Sequence, residues 1–353
     1  MQETGKKRLC YIDMLRIIAC FLVVLNHTPG YIACFSHERG AMSLTLALHL
    51  ILAMLVKIGV PVFFMISGSL LLTRQYQVEM VLKKALRFFL ILLGFSAVAN
   101  IVYNGRLYLP GFIRTFASAD VDGAGPYWYL YAYIGMLLVL PFLSFIAEHL
   151  DMKLVNYLII LRVIIVGVVP MLFMFANLIM DSNMHLAEEF NPALVLVDCI
   201  FYPLVGYGLD KKLDVSTLKG KGIRLQLLFF CGAIALESVL TWMAGFDNVF
   251  TGFDCLITIS LFLIIKYFLG LKELPEGLKT AITTVGSLTF GIYLLDPILG
   301  DVIEKWDHKL FPVVPSLLLV SVIHVFISMI VNGTVTYIWR LIKSGCIKAF
   351  KKQ

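Results

Sequence analysis

The chain has 353 residues, of which 60% are hydrophobic and 15% are charged. Soluble globular domains average about 45–50% and about 25%, so this composition excludes an ordinary soluble protein. The net charge of +6 could suit nucleic acid, but the basic residues cluster in alternate loops, which is typical of a membrane protein. No nucleic-acid partner is therefore predicted, and the lipid bilayer is the expected surroundings.

Apolar runs of about 20 residues, long enough to cross a bilayer, recur along the whole chain. They predict an all-α polytopic bundle of about ten transmembrane helices, forming one domain over residues 1–353. Most of the 29 Lys and Arg residues fall on one side of this arrangement. The positive-inside rule then predicts a multi-pass plasma-membrane protein with both termini in the cytoplasm. The predicted spans lie approximately at 11–28, 44–72, 82–103, 126–146, 154–179, 192–209, 224–243, 252–270, 281–299 and 313–342.

The first span carries three ionisable residues, Asp13, Arg16 and His27, in an otherwise apolar run. Asp13 and Arg16 are three positions apart, so they share a helix face and can pair. His27 lies about three turns further on, roughly 16 Å along the axis. Because ionisable groups at membrane depth are costly unless paired or hydrated, the pattern predicts a polar cavity. In the alternative interpretation, Arg16 snorkels at the interface and His27 merely caps the helix.

The second apolar region is too long for one straight span and contains Pro61 and Gly68. Proline removes a backbone donor, and broken membrane helices occur where backbone lines a cavity. The pattern therefore predicts a broken helix beside a cavity. A proline kink between two packed helices is the alternative.

The third span opens with the basic sequence KKALRFF, which contains Lys83, Lys84 and Arg87. Such a cluster at the cytoplasmic face usually contacts anionic headgroups. It would also suit a phosphate-rich co-substrate arriving from the cytosol.

Four carboxylates in later spans are candidate partners for buried cations or for His27: Asp198, Glu237, Asp254 and Asp296. The sequence alone does not choose among them. We find no HExxH, CxxC or His-rich spacing, so no metal site is predicted.

Taken together, these features resemble acyltransferase family 3, a family of integral membrane proteins. The likeness spans essentially the whole chain and rests on the R-x4-D-x2-R and R-x10-H spacings (Arg8, Asp13, Arg16, His27), VPVFFMISGSLL at 60–71, the basic entry ending at Arg87, WYL at 128–130, and GSLTFGIYLLDP at 286–297. The resemblance implies a coenzyme A-dependent O-acyltransferase. Its donor would be cytosolic acetyl-CoA or another acyl-CoA, and its acceptor a hydroxyl of an extracytoplasmic cell-envelope glycan.

The resemblance also implies site roles. His27 would be the essential histidine and Asp13 would orient Arg16. The donor would be held by the basic residues Arg8, Arg16, Lys83, Lys84 and Arg87. Two positions depart from the family pattern, because Asp296 and Pro126 stand where histidines are usual. Asp296 would either support His27 as a carboxylate partner or mark a different acceptor site.

The same resemblance includes the membrane domains of vancomycin-resistance serine racemases. It therefore leaves open a second function, a transporter of a small polar solute such as L-serine, with a fused or partner racemase. Glycan-assembly proteins are the corresponding partners of an acyltransferase. Broken helices and buried charges suit transporters as well, although no pair of Gly/Pro-interrupted spans repeats in the two halves of the chain. A structural or sensory protein with a decayed site is a third possibility.

Overall fold

The computed structural model describes residues 9–27, 43–116, 121–187, 189–245, 249–310 and 317–350. Within these ranges the chain forms helices joined by turns, and no strand is present. The all-α prediction is confirmed. The helices are α1 Cys10–His27, α2 Leu44–Lys57, α3 Gly59–Leu71, α4 Val78–Asn104, α5 Leu109–Arg114, α6 Trp128–Leu138, α7 Leu140–His149, α8 Met152–Arg162, α9 Val169–Met180, α10 Ala193–Leu196, α11 Asp198–Lys211, α12 Lys221–Met243, α13 Asp254–Gly270, α14 Glu276–Leu310 and α15 Leu317–Phe350.

Seven helical segments of the described chain are long and apolar enough to cross a membrane, and an eighth is a bent pair, 125–138 with 140–149. The polytopic arrangement is thus confirmed. The other two predicted spans, 192–209 and 252–270, contain shorter helices. Their main helices are α11 with 14 residues and α13 with 17.

The second predicted span is broken as expected, at Ile58, three residues before Pro61. Helix α2 ends at Lys57 and α3 begins at Gly59. Pro61 lies in the first turn of α3, where its missing N–H costs little. Likewise, α14 runs through Pro297 to Leu310 rather than ending at the Asp-Pro pair.

The chain divides into two compact units. The first comprises the described residues within 1–31, 92–128 and 274–353. In it, α1 packs on α14, and α15 packs on both. Small residues allow this close approach: a side chain at Gly286 would meet Asp13, and one at Gly291 would meet Thr336.

The second unit comprises the described residues within 32–91 and 129–273. Its α3 and α11 form the closest helix pair, since side chains at Gly68 and Gly206 would collide with the backbones of Pro203 and Met65. The Ser69 hydroxyl donates to the Gly206 carbonyl at 3.1 Å across this contact. Gly68 therefore allows the close packing of α3 on α11.

Candidate functional site

Asp13 and Arg16 form an ion pair at the start of α1. Arg16 Nη1 donates to Asp13 Oδ1 at 2.8 Å, and the two side chains are 29% and 1% exposed. A carboxylate in the first turn also interacts favourably with the helix dipole. Gly286 lets α14 approach Asp13 closely. Asp13 is therefore fixed from two sides, and it holds one edge of the Arg16 guanidinium while the remainder stays accessible.

His27 is the last residue of α1, and its ring faces a carboxylate on α14. His27 Nδ1 lies 3.1 Å from Asp296 Oδ2, with side-chain exposures of 19% and 6%. These residues are 269 positions apart in the chain, so packing of α1 on α14 brings them together. The structure thus places Asp296, of the four candidate carboxylates, against His27.

Asp296 is in turn held by α15 through two polar residues that are fully buried. Ser328 Oγ donates to Asp296 Oδ1 at 3.0 Å, and Asn332 Nδ2 donates to Ser328 Oγ at 3.0 Å. Both oxygens of Asp296 therefore have partners. Sequence reasoning missed Ser328 and Asn332, although their i, i+4 spacing in an apolar span was a usable signal.

The turn that precedes α6 clamps α14 just before Asp296. Tyr127 donates its hydroxyl to the Leu294 carbonyl at 2.6 Å, and Tyr293 donates to the Pro126 carbonyl at 2.8 Å. Pro126, one of the two departures from the family pattern, therefore contributes a backbone acceptor. Together these contacts restrict movement of the helix turn that carries Asp296.

The other predicted donor-binding residues lie in the second unit or outside the described residues. Lys83, Lys84 and Arg87 lie near the start of α4 and belong to the second unit. Lys83 pairs with Glu79 at 2.6 Å on an exposed face, and Arg87 is exposed as well. Arg8 lies outside the described residues.

The remaining candidate carboxylates belong to the second unit, where two of them pair with Arg162. Arg162 Nη2 lies 2.7 Å from Asp198 Oδ1 and 3.8 Å from Asp254 Oδ1. Glu237 Oε1 accepts a hydrogen bond from the Phe253 N–H at 2.6 Å. Each of these three carboxylates therefore has a partner within the second unit.

Comparison with known families identifies the chain. An acyltransferase domain matches residues 10–333, which is most of the sequence. The protein belongs to acyltransferase family 3. The match begins at the first residue of α1 and includes the Asp13–Arg16 pair, the His27–Asp296 contact and Ser328. Neither the curated proteins nor the solved structures contain a match.

Membership in acyltransferase family 3 gives this site a chemical context. Acyl transfer to a hydroxyl in general requires a base that removes the hydroxyl proton and groups that hold the acyl donor. The first unit contains an imidazole braced by a carboxylate and, on the same helix, an arginine held by a second carboxylate. These are residue types suited to the two tasks.

Proposed function

We propose that this protein is an O-acyltransferase that moves an acyl group from cytosolic acyl-CoA, acetyl-CoA in the first instance, to a hydroxyl of an extracytoplasmic cell-envelope glycan. The plasma membrane, with both termini in the cytoplasm, is the proposed location. The observation that carries the proposal is the contact between His27 and Asp296 inside a family 3 domain.

The contact with Asp296 indicates which ring nitrogen of His27 would act as the base. A carboxylate can only accept, so Nδ1 carries the proton that faces Asp296 and Nε2 keeps a free lone pair. Nε2 would remove the proton of the acceptor hydroxyl while that oxygen attacks the thioester carbonyl. The new C–O bond forms, the C–S bond breaks, and the proton passes from His27 to the departing thiolate. Asp296 stabilises the imidazolium formed in between.

The donor would be held by cations. Coenzyme A carries phosphate groups, and guanidinium groups bind phosphate through paired N–H donors. Arg16 fits this task because one edge pairs with Asp13 while its side chain remains partly exposed. We assign Arg8, Lys83, Lys84 and Arg87 to the capture of the same phosphates from the cytosol.

The test compares three variants in purified, folded protein: His27→Ala, Arg16→Ala and, as a matched control, His149→Ala. His149 is exposed and bonds only locally to the Phe145 carbonyl. We expect His27→Ala to lower acetyl transfer to envelope glycan by about 10²–10⁴-fold with acetyl-CoA binding largely kept. Arg16→Ala should weaken acetyl-CoA binding, and His149→Ala should change neither quantity.

Transfer that persists in His27→Ala would refute the assigned role of His27. Absence of acetyl-CoA binding in every folded form would instead favour the transporter function. Uptake of L-serine into proteoliposomes, which need not depend on His27, would then be measured.

A further inference from the structure

An apolar groove with a volume of about 650 Å³ lies in the first unit, between α1, α14 and α15. Its walls are mainly aliphatic and aromatic, and Gly333 leaves its floor open. At one end the rings of Phe21 and Phe326 are 5.5 Å apart. Several wall residues of α15, including Phe326 and Ile330, are exposed in the structure. The groove therefore opens onto the outer surface of these helices.

The length of the groove matches one leaflet of a membrane. Along α15 it runs from Phe326 to Tyr337, which is about 16 Å at 1.5 Å per residue. The hydrocarbon core of a bilayer is about 30 Å thick, so the groove spans about half of it. This is the length of an acyl chain belonging to one leaflet.

The groove is polar at one end only. Thr284 and Tyr337 lie there, and Arg340 follows Tyr337 by three residues, on the same helix face. The Arg340 guanidinium donates to Ser287 Oγ at 2.7 Å and to the Ser287 carbonyl. Arg340 forms no ion pair with a described carboxylate, so its charge is not neutralised within that part of the chain.

We propose that this groove binds one acyl chain of an anionic phospholipid, whose phosphate contacts Arg340. The apolar walls match the acyl chain, and the Arg340 guanidinium, which pairs with no carboxylate among the described residues, matches the headgroup. Two of its N–H groups are held by Ser287, which leaves others free to donate to phosphate oxygens. Basic residues at the edge of a membrane attract anionic lipids in the same way.

The test is native mass spectrometry of the full chain after exchange into equal amounts of phosphatidylglycerol and phosphatidylcholine with identical acyl chains. Arg340→Gln removes the charge, and Gly333→Leu fills the groove. A Cβ added at Gly333 would meet Ile292 at an ordinary 3.7 Å. Two matched controls use the same substitutions elsewhere in the first unit: Arg106→Gln at an exposed position and Gly94→Leu, where nothing lies within 4 Å.

We expect the wild type to retain one phosphatidylglycerol. Arg340→Gln should lower the preference for phosphatidylglycerol by about tenfold, the effect of losing one charge-assisted contact. Gly333→Leu should lose the retained lipid, and both controls should behave like the wild type. Equal preference in Arg340→Gln and wild type would overturn the proposal, as would a lipid-free dimer in which a second copy covers the groove. Circular dichroism checks that each variant is folded.

Discussion

The two units each bury a polar cluster within apolar helices, and the two clusters are built differently. In the first unit, the contacts run from side chain to side chain, from Asn332 through Ser328 and Asp296 to His27. The series ends at an imidazole that is 19% exposed. One member can therefore meet a substrate while the others hold it in position.

In the second unit, Arg162 pairs with Asp198 and Asp254, and the cluster also bonds to backbone at helix ends. Arg162 Nη1 donates to the Val195 carbonyl at 2.8 Å, beside the break between α10 and α11. Glu237 accepts from the N–H of Phe253, the residue before α13. Arg162 also lies over the rings of Phe201 and Tyr202, at 4.8 and 5.0 Å. These contacts satisfy backbone groups that helix breaks would otherwise leave without partners.

The comparison teaches that a buried charge in a membrane helix is not by itself a sign of chemistry. Both clusters contain a cation or imidazole with carboxylates, so composition does not separate them. What separates them is the group at the partly exposed end of each cluster. In the first unit that group is the His27 imidazole, a residue type that exchanges protons, and in the second it is the Asp198 carboxylate, which pairs with Arg162. The second cluster also bonds to backbone groups at helix breaks, which stabilises the fold.

Arg162→Met tests whether the cluster of the second unit stabilises the fold. It leaves Asp254 buried without its cation, so we expect the free energy of unfolding to fall by about 3–5 kcal/mol. Thermal unfolding in detergent would measure the loss. The double variant Arg162→Met/Asp254→Asn should recover part of it, because the stranded charge is removed. If the double variant is as unstable as the single one, packing on Phe201 and Tyr202 is the main contribution of Arg162.

Asp296→Asn should lower acyl transfer and leave stability nearly unchanged, which is the opposite of the effect expected for Arg162→Met. The amide is nearly isosteric, so stability and acetyl-CoA binding should stay close to wild type. Transfer should fall about 10²-fold or more, equivalent to about 2.7 kcal/mol, because an amide can donate to Nδ1 and hold the wrong tautomer. Asp254→Asn is the matched control in the second unit. Similar losses of transfer in the two variants would remove the distinction between the clusters.

The smallest expected effect concerns the packing that positions Asp13. A methyl group at Gly286 would lie 2.7 Å from Asp13 Cβ and 3.0 Å from its carbonyl oxygen, so Gly286→Ala should cost about 1–3 kcal/mol of stability. It should also weaken acetyl-CoA binding through Arg16. Gly277→Ala, in the same helix with nothing within 4 Å, is the control and should leave both unchanged. If Gly286→Ala were as stable as the wild type, α1 and α14 could move apart at this position without loss of stability.

The sequence by itself determined whatever depends on local pattern. Apolar runs specify membrane helices, and the i, i+3 spacing specifies the Asp13–Arg16 pair, because both follow from the geometry of a single helix. The motif spacings also pointed to the family that the comparison then established.

Only the tertiary structure decided which carboxylate meets His27. Four carboxylates were equivalent in sequence, and Asp296 is selected because Gly286 and Gly291 let α14 lie close to its neighbours. Ser328 and Asn332 entered the site for the same reason, as α15 packs against α14. Contacts between residues hundreds of positions apart depend on how whole helices fit together, and local periodicity contains no record of that fit.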